Sequence, residues 1–207
     1  MQTYRKHFFL FISFLICAAC RMPLQIGQPG KYDRDCFTKF VPDFQIQWYK
    51  ASIDVTGKHL SGLLLFKTLP DSSVRVVFTG ETGTTFFDLE FDAAQRKVNF
   101  VLPQFNRKPV IRTLQNDLDL IFMRYLRDPS AELFFDGKSK YLRVKSGGKT
   151  IYIWATNNCE HLQKIEEEWG GKKKVEVTMY GDGSAPDSVR ITHYNFSMDI
   201  KLRKLER

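Results

Sequence analysis

The sequence has little of what metal centres and hydrolytic active sites require. It contains four cysteines and four histidines, and their spacing is not that of a zinc site. Cys159 and His161 form an isolated pair, which is too few ligands for a metal. There is no G-x-S-x-G motif, no phosphate-binding glycine loop and no pair of histidines at helical spacing. The sequence therefore predicts a protein that is not an enzyme and has no metal or other cofactor.

Long apolar runs are also scarce, since residues 8–19 form the one such run, with Ser13 as its polar exception. This run is too short for a membrane-spanning helix, which needs roughly 20 residues. The residues before it include Arg5 and Lys6 and no acid, and it ends in Ala18 and Ala19. A basic start, an apolar centre and small residues at the end are typical of a secretory signal peptide. We therefore assign residues 1–19 to a signal peptide.

The end of this signal resembles a lipobox, the motif at which lipoprotein signal peptidase cuts before a lipidated cysteine. It reads Cys17-Ala18-Ala19-Cys20, with cysteine at the first place instead of the usual leucine. Each buried methylene of an acyl chain adds about 0.8 kcal/mol of membrane affinity. The interpretation is that Cys20 is the lipid-attachment residue of an outer membrane lipoprotein that faces the periplasm. The alternative is an ordinary signal peptide cut near Ala19.

Two cysteines, Cys36 and Cys159, remain in the rest of the chain. In an oxidising compartment they either pair as a disulfide or stay as two buried thiols. Sequence separation does not decide between these outcomes, because pairing depends on the distance in space.

The net charge is positive but not concentrated in a binding patch. Removing Arg5 and Lys6 with the signal lowers the formal net charge from +8 to +6. The one dense basic run is Lys172-Lys173-Lys174, beside a Gly-Gly turn, and it favours a solvated hairpin tip over a binding patch. We therefore expect no nucleic-acid partner and a monomer that contacts the membrane through its N-terminal lipid.

Residues 20–43 contain prolines, glycines and polar residues without a sustained period, which predicts a flexible tether. From residue 44 apolar residues alternate with polar ones, which indicates strands, with a bulge near Trp48. Further strands are predicted at residues 60–66, 74–79, 84–91, 98–102, 132–135, 140–145, 150–154, 175–180, 189–193 and 198–202, with a break at Asn195 between the last two. Residues 162–169 are either a further strand or a short helix, and the Gly170-Gly171 turn that follows them favours a strand. Short connections between them predict antiparallel pairing as a meander. Residues 44–207 thus form the folded domain.

One helix is predicted between the strands, over residues 108–126. Its apolar residues recur at helical spacing, Pro109 suits a first turn, and Asp128-Pro129 ends it. The fold class is mainly β (α+β), a curled antiparallel half-barrel of about eleven strands with one main helix packed on or in it. Glycines within strands, such as Gly62, would help the sheet to curl.

An apolar cavity and a filled core are both compatible with so many aromatic residues, including 18 phenylalanines. A filled core is the simpler alternative, but one helix offers little to fill the concave side of so large a sheet, and on that ground we keep a ligand cavity as the hypothesis. The candidate lining residues are Trp48, Leu64, Phe66, Phe78, Phe87, Leu89 and Phe122. In the strand at residues 84–91, Phe87, Leu89 and Phe91 alternate onto one face, and Phe86, Asp88 and Glu90 onto the other. Asp88 and Glu90 could be paired carboxylates, but such a pair is usually solvated rather than catalytic.

The pattern of a lipidation cysteine, strands, a helix and more strands resembles the LolA/LolB lipoprotein-carrier superfamily. Residues 180–191, with Pro186 before an alternating strand, resemble its late loop, and residues 198–202 resemble its closing strand. The resemblance implies a half-barrel that binds an acyl chain or lipoprotein cargo. The loop Gly80–Gly83 offers Glu81 and Thr82 where the outer-membrane member exposes an apolar residue. The alternative function is an interaction or assembly module that docks on another envelope protein complex.

Overall fold

A computed structural model describes residues 28–29, 34–181 and 184–206 of the chain, and these residues form one antiparallel sheet with helices on it. The helices are α1 (Arg34–Thr38) and α2 (Lys108–Ile121). The strands are β1 (Gln28–Pro29), β2 (Ile46–Val55), β3 (Lys58–Thr68), β4 (Val74–Gly80), β5 (Thr85–Phe91), β6 (Arg96–Val101), β7 (Glu132–Phe135), β8 (Ser139–Ser146), β9 (Lys149–Thr156), β10 (Leu162–Trp169), β11 (Lys172–Tyr180), β12 (Ser188–His193) and β13 (Met198–Lys204).

The strand order in the sheet is β1-β7-β8-β9-β10-β11-β12-β13-β2-β3-β4-β5-β6. Two meanders, one before α2 and one after it, are therefore joined where the last strand, β13, pairs with β2. The sheet is curled but not closed, with β1 and β6 at its edges. This confirms the predicted mainly β half-barrel with one main helix, with thirteen described strands rather than about eleven. Residues 162–169 are a strand, as the following Gly-Gly turn indicated.

Strand β2 shows how the alternation builds the core. Tyr49, Ala51 and Ile53 are buried on the concave face, while Trp48 is half-buried on the opposite face. The predicted bulge near Trp48 is wrong, because β2 pairs with β3 without a register shift from Ile46 to Val55. The apparent change of parity arises because Ile46 is 52% exposed on the outer face.

Helix α2 is shorter than predicted, and its C-terminal half is more deeply buried than its N-terminal half. It ends at Ile121, and the expectation of a helix to residue 126 is wrong because Met123 adopts a left-handed conformation, with φ of 50°. A 3₁₀ turn, Arg124–Arg127, follows. The last five residues of α2 are buried, from Asp117 to Ile121, whereas its first turns are only half-buried or exposed. The C-terminal half of α2 therefore fills the half-barrel.

A cluster of aromatic rings forms the core beside the end of α2. Phe44 and Phe66 stack with ring centroids 4.3 Å apart. Phe122 meets Phe66 at 6.0 Å and Phe91 at 5.2 Å in edge contacts. Such edge and stacked pairs stabilise a core beyond the area that they bury.

A disulfide joins Cys36 of α1 to Cys159 in the β9–β10 connection, with Cα atoms 5.4 Å apart. Phe37 beside it is fully buried. Of the predicted tether, residues 20–43, the part from Arg34 onward thus packs on the domain. The predicted signal peptide, residues 1–19, and Cys20 lie outside the described residues.

Within residues 28–29, 34–181 and 184–206, no helix has the length and apolar character needed to cross a membrane. In the same part of the chain, no three His, Cys, Asp or Glu side chains are grouped as metal ligands would be.

Candidate functional site: an apolar cavity under the N-terminal half of helix α2

An apolar cavity of about 480 Å³ lies between the N-terminal half of α2 and the concave face of the sheet. Its volume falls in the range typical of small-molecule sites, roughly 300–1,000 Å³. Three of its lining residues are polar, namely Thr56, Lys58 and Thr113. The apolar lining residues are Ile53, Val55, Leu60, Phe78, Phe86, Phe87, Val101, Phe105, Pro109, Val110, Leu114, Phe196 and Met198.

The aromatic wall of the cavity depends on a bulge in β5. Phe78 of β4 pairs with Phe87, and Thr79 pairs with Thr85, so that Phe86 is the extra residue between them. In a regular strand Phe86 and Phe87 would point to opposite faces, but a bulge turns one side chain towards the other face. Phe86 stacks on Phe78 at 5.1 Å and meets Phe105 edge-on at 5.6 Å. Two consecutive phenylalanines therefore line one cavity.

The seven residues predicted to line a cavity are not all brought together. Phe78 and Phe87 line it, while Phe122 is half-buried against the ring of Phe66. Trp48 lies on the outer face of β2. The remaining three, Leu64, Phe66 and Leu89, are buried in the core.

Several lining residues were not anticipated. Phe86 was expected on the opposite face of its strand, and Phe105 lies in the short 3₁₀ turn Pro103–Phe105 before α2. Phe196 comes from the β12–β13 hairpin, where the polar pattern indicated only a break. The sequence does contain a signal for two lining residues, the helical spacing of Val110 and Leu114, which identifies the face of α2 that lines the cavity.

Lys58 is the one charged side chain among the residues that line the cavity. It is exposed, at the start of β3, and makes no ion pair within the described residues. Thr56 precedes it in the same hairpin and is also exposed. The cavity therefore has an apolar interior and a cation at its opening, which suits an amphipathic ligand with an anionic end.

A buried His–Asp pair connects α2 to the strand beside the cavity. Asp117 Oδ2 lies 3.1 Å from His193 Nε2, and both side chains are almost fully buried. The His193 ring contacts the ring of Phe196 at 4.8 Å. Burial raises the pKa of Asp117 above its usual range, against the opposing effect of the hydrogen bond with His193. Within the described part of the chain, no hydroxyl or thiol hydrogen-bonds to His193.

Further charges are buried under α2, away from the opening. Lys149 Nζ donates to Glu167 at 2.7 Å. Burial lowers the pKa of Lys149, but its hydrogen bonds with Glu167 and Tyr125 outweigh this and hold that pKa above its ordinary value. Asp119 forms ion pairs with Arg96 and Arg124. The Asp119–Arg96 pair joins α2 to β6, and the hydrogen bond of Lys149 with Tyr125 joins the turn after α2 to β9.

The carboxylates Asp88 and Glu90 of β5 are engaged in ion pairs. Arg75 donates to both oxygens of Asp88, at 2.9 Å and 3.2 Å from its Nε. Burial raises the pKa of Asp88, but the hydrogen bonds from Arg75 and Asn99 more than offset this and hold it below the usual range. Asp88 is therefore an ionised partner of Arg75 at neutral pH and not a protonated general acid.

A wider depression of about 720 Å³ lies on the outer face of strands β2, β11, β12 and β13. It is open, and most residues along it are polar or charged, including Lys50, Arg190, Lys201 and Arg203. Asp199 pairs with Arg190 at 3.0 Å and with Lys201 at 3.3 Å. Its floor is the solvated face of the sheet, so the concave apolar cavity is the better ligand site.

No protein-family model matches the sequence, and a comparison with curated proteins finds no match. Among solved structures, the chain is similar to a DUF1329 family protein from Desulfovibrio piger, with a TM-score of 0.47 and 9% identity over 84% of this chain and 90% of that chain. It is also similar to a protein domain named for outer membrane lipoprotein sorting, from Vibrio parahaemolyticus. There the TM-score is 0.47 and the identity 7%, over 84% of this chain and 88% of that chain. Because the identities are 9% and 7% and both TM-scores are 0.47, these similarities carry no conclusion about function.

Proposed function

We propose that this protein is a lipid-anchored envelope protein, without enzymatic activity, that binds an acyl chain of a lipid or of a lipoprotein in the cavity under α2. The observation that carries the proposal is the cavity of about 480 Å³, whose wall is almost entirely aliphatic and aromatic. Each methylene that leaves water for such a wall contributes roughly 0.8 kcal/mol. A chain of several methylenes thus binds without any specific polar contact.

The opening of the cavity fits the other end of such a ligand. Lys58 is exposed there without an ion-pair partner in the described residues. A carboxylate or phosphate at the end of an acyl chain would meet this ammonium group while the chain lies among Phe78, Phe86 and Phe87. Thr113 of α2 supplies a hydroxyl beside the chain.

The anchor is part of the proposal. The segment Cys17-Ala18-Ala19-Cys20 has the composition of a lipidation site, and the Cys36–Cys159 disulfide suits a protein of an oxidising compartment. We place the domain on the periplasmic side of the outer membrane, held by acyl groups on Cys20. Metabolic labelling with a radioactive fatty acid tests this part. Label is expected in the wild type and lost in Cys20→Ser.

The alternative function is docking on another envelope protein. One observation favours it: edge strand β6 has no partner on its outer side among the described strands, and its Val98 and Phe100 are exposed. An exposed strand edge with apolar side chains can accept a strand from a partner. This contact would leave the cavity free, so both functions are compatible with the fold.

Filling the cavity tests the acyl-chain proposal. Thr113→Trp should place an indole in the cavity and reduce binding of a fluorescent fatty acid by the full chain at least about tenfold. The matched control is Arg112→Trp, an exposed position on the same helix that does not line the cavity. Native mass spectrometry of the purified wild type should show retained lipid. Equal binding by both variants, with the wild type free of lipid, would refute the proposal.

A further inference from the structure

Three neighbouring hairpins end on the same side of the sheet. The strands β10-β11-β12-β13-β2-β3 are adjacent in that order, and short turns join β10 to β11, β12 to β13 and β2 to β3. Val175 pairs with His193, and Met198 pairs with Val55, so that the three turns lie at the same ends of their strands. We call these turns the hairpin tips and define them as residues 56–58, 169–174 and 194–197.

The hairpin tips are basic and contain no acid. Their thirteen residues include four lysines and neither aspartate nor glutamate. Lys173 is neutralised by Glu176, at 2.7 Å, and by Glu166, at 3.3 Å. Lys58, Lys172 and Lys174 make no ion pair within the described residues. These three lysines give the hairpin tips a net positive charge.

The hairpin tips also expose aromatic side chains. Trp169 is 58% exposed, Tyr194 is 51% exposed and Phe196 is 36% exposed. Large apolar side chains on adjacent turns are not needed for the core, and a group of them marks a contact surface. Tryptophan and tyrosine prefer the interface between lipid and water, where one part of the ring is apolar and the other is wet.

The hairpin tips border the cavity. Thr56, Lys58 and Phe196 belong to the hairpin tips and also line the cavity. Arg107 and Lys108, both exposed, come directly before the cavity-lining residue Pro109 at the start of α2. The cations Lys58, Arg107 and Lys108 and the ring of Phe196 therefore lie at or next to the opening. A surface of anionic lipid headgroups attracts groups of these kinds.

We propose that the hairpin tips dock on an anionic lipid surface, with Trp169 and Phe196 among the lipid headgroups and the lysines against the charge of those headgroups. This inference rests on the proposed acyl-chain binding, because docking in this orientation places the cavity opening at the lipid from which a chain would enter. The occupant is a lipid bilayer rather than an acidic protein, since the exposed groups are aromatic as well as basic and adjoin an apolar cavity.

Fluorescence quenching by brominated lipids tests the docking. The full chain is mixed with vesicles of brominated phosphatidylglycerol or of brominated phosphatidylcholine, and the signal of Trp169 is the quenching that is lost in Trp169→Phe. An N-terminal lipid anchor would insert into both kinds of vesicle, so the difference between them reports the hairpin tips. Strong quenching is expected with phosphatidylglycerol, weak quenching with phosphatidylcholine. The difference should shrink at 1 M salt, where the Debye length is about 3 Å.

The lysines are tested by Lys172→Gln with Lys174→Gln, since neither lysine lines the cavity. A lysine near an anionic surface contributes about 1 kcal/mol, so losing two should raise the half-saturating lipid concentration roughly thirtyfold. The matched control is Lys67→Gln with Lys138→Gln, two exposed lysines without ion pairs at the opposite ends of their strands. This control should shift the concentration less than about threefold. Equal effects of the two double variants would overturn the proposal, as would equal quenching by the two lipids.

Different variants test the acyl-chain proposal and the hairpin-tip proposal, so that either proposal can be refuted without the other. Thr113→Trp should lose fatty-acid binding and keep the quenching of Trp169 by phosphatidylglycerol. Lys172→Gln with Lys174→Gln should lose the quenching and still bind the fluorescent fatty acid, because neither lysine lines the cavity. Docking without acyl binding in the wild type would refute the proposed function alone, and acyl binding without docking would refute the hairpin-tip proposal alone.

Discussion

Asp117 is a buried acidic side chain, and its hydrogen bond with His193 offsets part of the free-energy cost of that burial. Its Oδ2 lies 3.1 Å from His193 Nε2, while Oδ1 has no hydrogen-bond partner in the described part of the chain. Burial penalises the charged form and raises the pKa of Asp117. A carboxyl whose pKa is higher in the folded state than in the unfolded state binds more protons when folded. Its contribution to stability is therefore present at low pH and is lost as the pH rises through that raised pKa.

Replacing Asp117 should remove this pH dependence. The free energy of unfolding of Asp117→Asn minus that of the wild type should increase as the pH rises from 4 to 7. The increase should be roughly 1 kcal/mol for each pH unit until Asp117 ionises in the folded wild type. Urea unfolding at several pH values measures the difference. Asp54→Asn changes the exposed pair of Asp54 with His59, at 2.7 Å, and should show a smaller trend. A constant difference between Asp117→Asn and wild type would contradict the burial argument.

At the scale of single elements, β3 and β4 approach closely because both have a glycine at the contact. Gly62 pairs with Gly80, and a Cβ on Gly62 would lie 2.1 Å from the carbonyl oxygen of Thr79. The close approach of β3 and β4 therefore requires a residue without a side chain at position 62.

Gly62→Ala should destabilise the protein, because the contacting atom belongs to the backbone and cannot move aside. The expected loss is about 1–3 kcal/mol in the free energy of unfolding, as for other overpacked sites. Lys67→Ala, at an exposed position of the same strand, should change it by less than about 0.5 kcal/mol. Urea unfolding of both variants measures the difference, and equal stabilities would show that β3 and β4 can separate at this point.

Helix α2 divides the concave space into two parts. Its C-terminal half is buried and fills the half-barrel, with Phe122 against Phe66. Its N-terminal half stands further from the sheet and leaves the cavity between Leu114 and the wall that contains Phe78. The same concave face is thus a packed core at one end and a ligand site at the other.

At the scale of the whole molecule, the Cys36–Cys159 disulfide links residues that are 123 positions apart in the sequence. A crosslink over so long a segment restricts the unfolded chain strongly, and removing a native disulfide from a small secreted domain typically costs 2–5 kcal/mol. It also holds α1, whose Phe37 is buried, against the β9–β10 connection.

The double variant Cys36→Ala with Cys159→Ala should therefore unfold at a lower temperature, with a loss of about 2–5 kcal/mol. Calorimetry with and without a reductant provides the control. The reductant should lower the melting temperature of the wild type to near that of the variant and leave the variant unchanged. A wild type that is insensitive to full reduction would show that packing of Phe37 alone holds α1 in place.

How much could be predicted depends on whether a feature is local. Of the seven predicted lining residues, Phe78 and Phe87 line the cavity. Phe66 has the same strand alternation, yet it is packed under Phe122 at the end of α2. Alternation identifies the concave face, but it does not tell where along that face the helix lies. Phe86 was assigned to the wrong face because a bulge changes the alternation without leaving a mark in the sequence.

The sequence by itself determined the local features of this protein: which segments of residues 44–207 are strands, where α2 begins at Lys108, and that consecutive strands pair antiparallel as a meander. These follow from periods of two and of 3.6 residues, which act between near neighbours. Only the tertiary structure decided that β13 pairs with β2, that Cys36 meets Cys159, and that a cavity remains beside Thr113 and Leu114. These features depend on contacts between residues far apart in the chain, whose distances are set by the curl of the whole sheet.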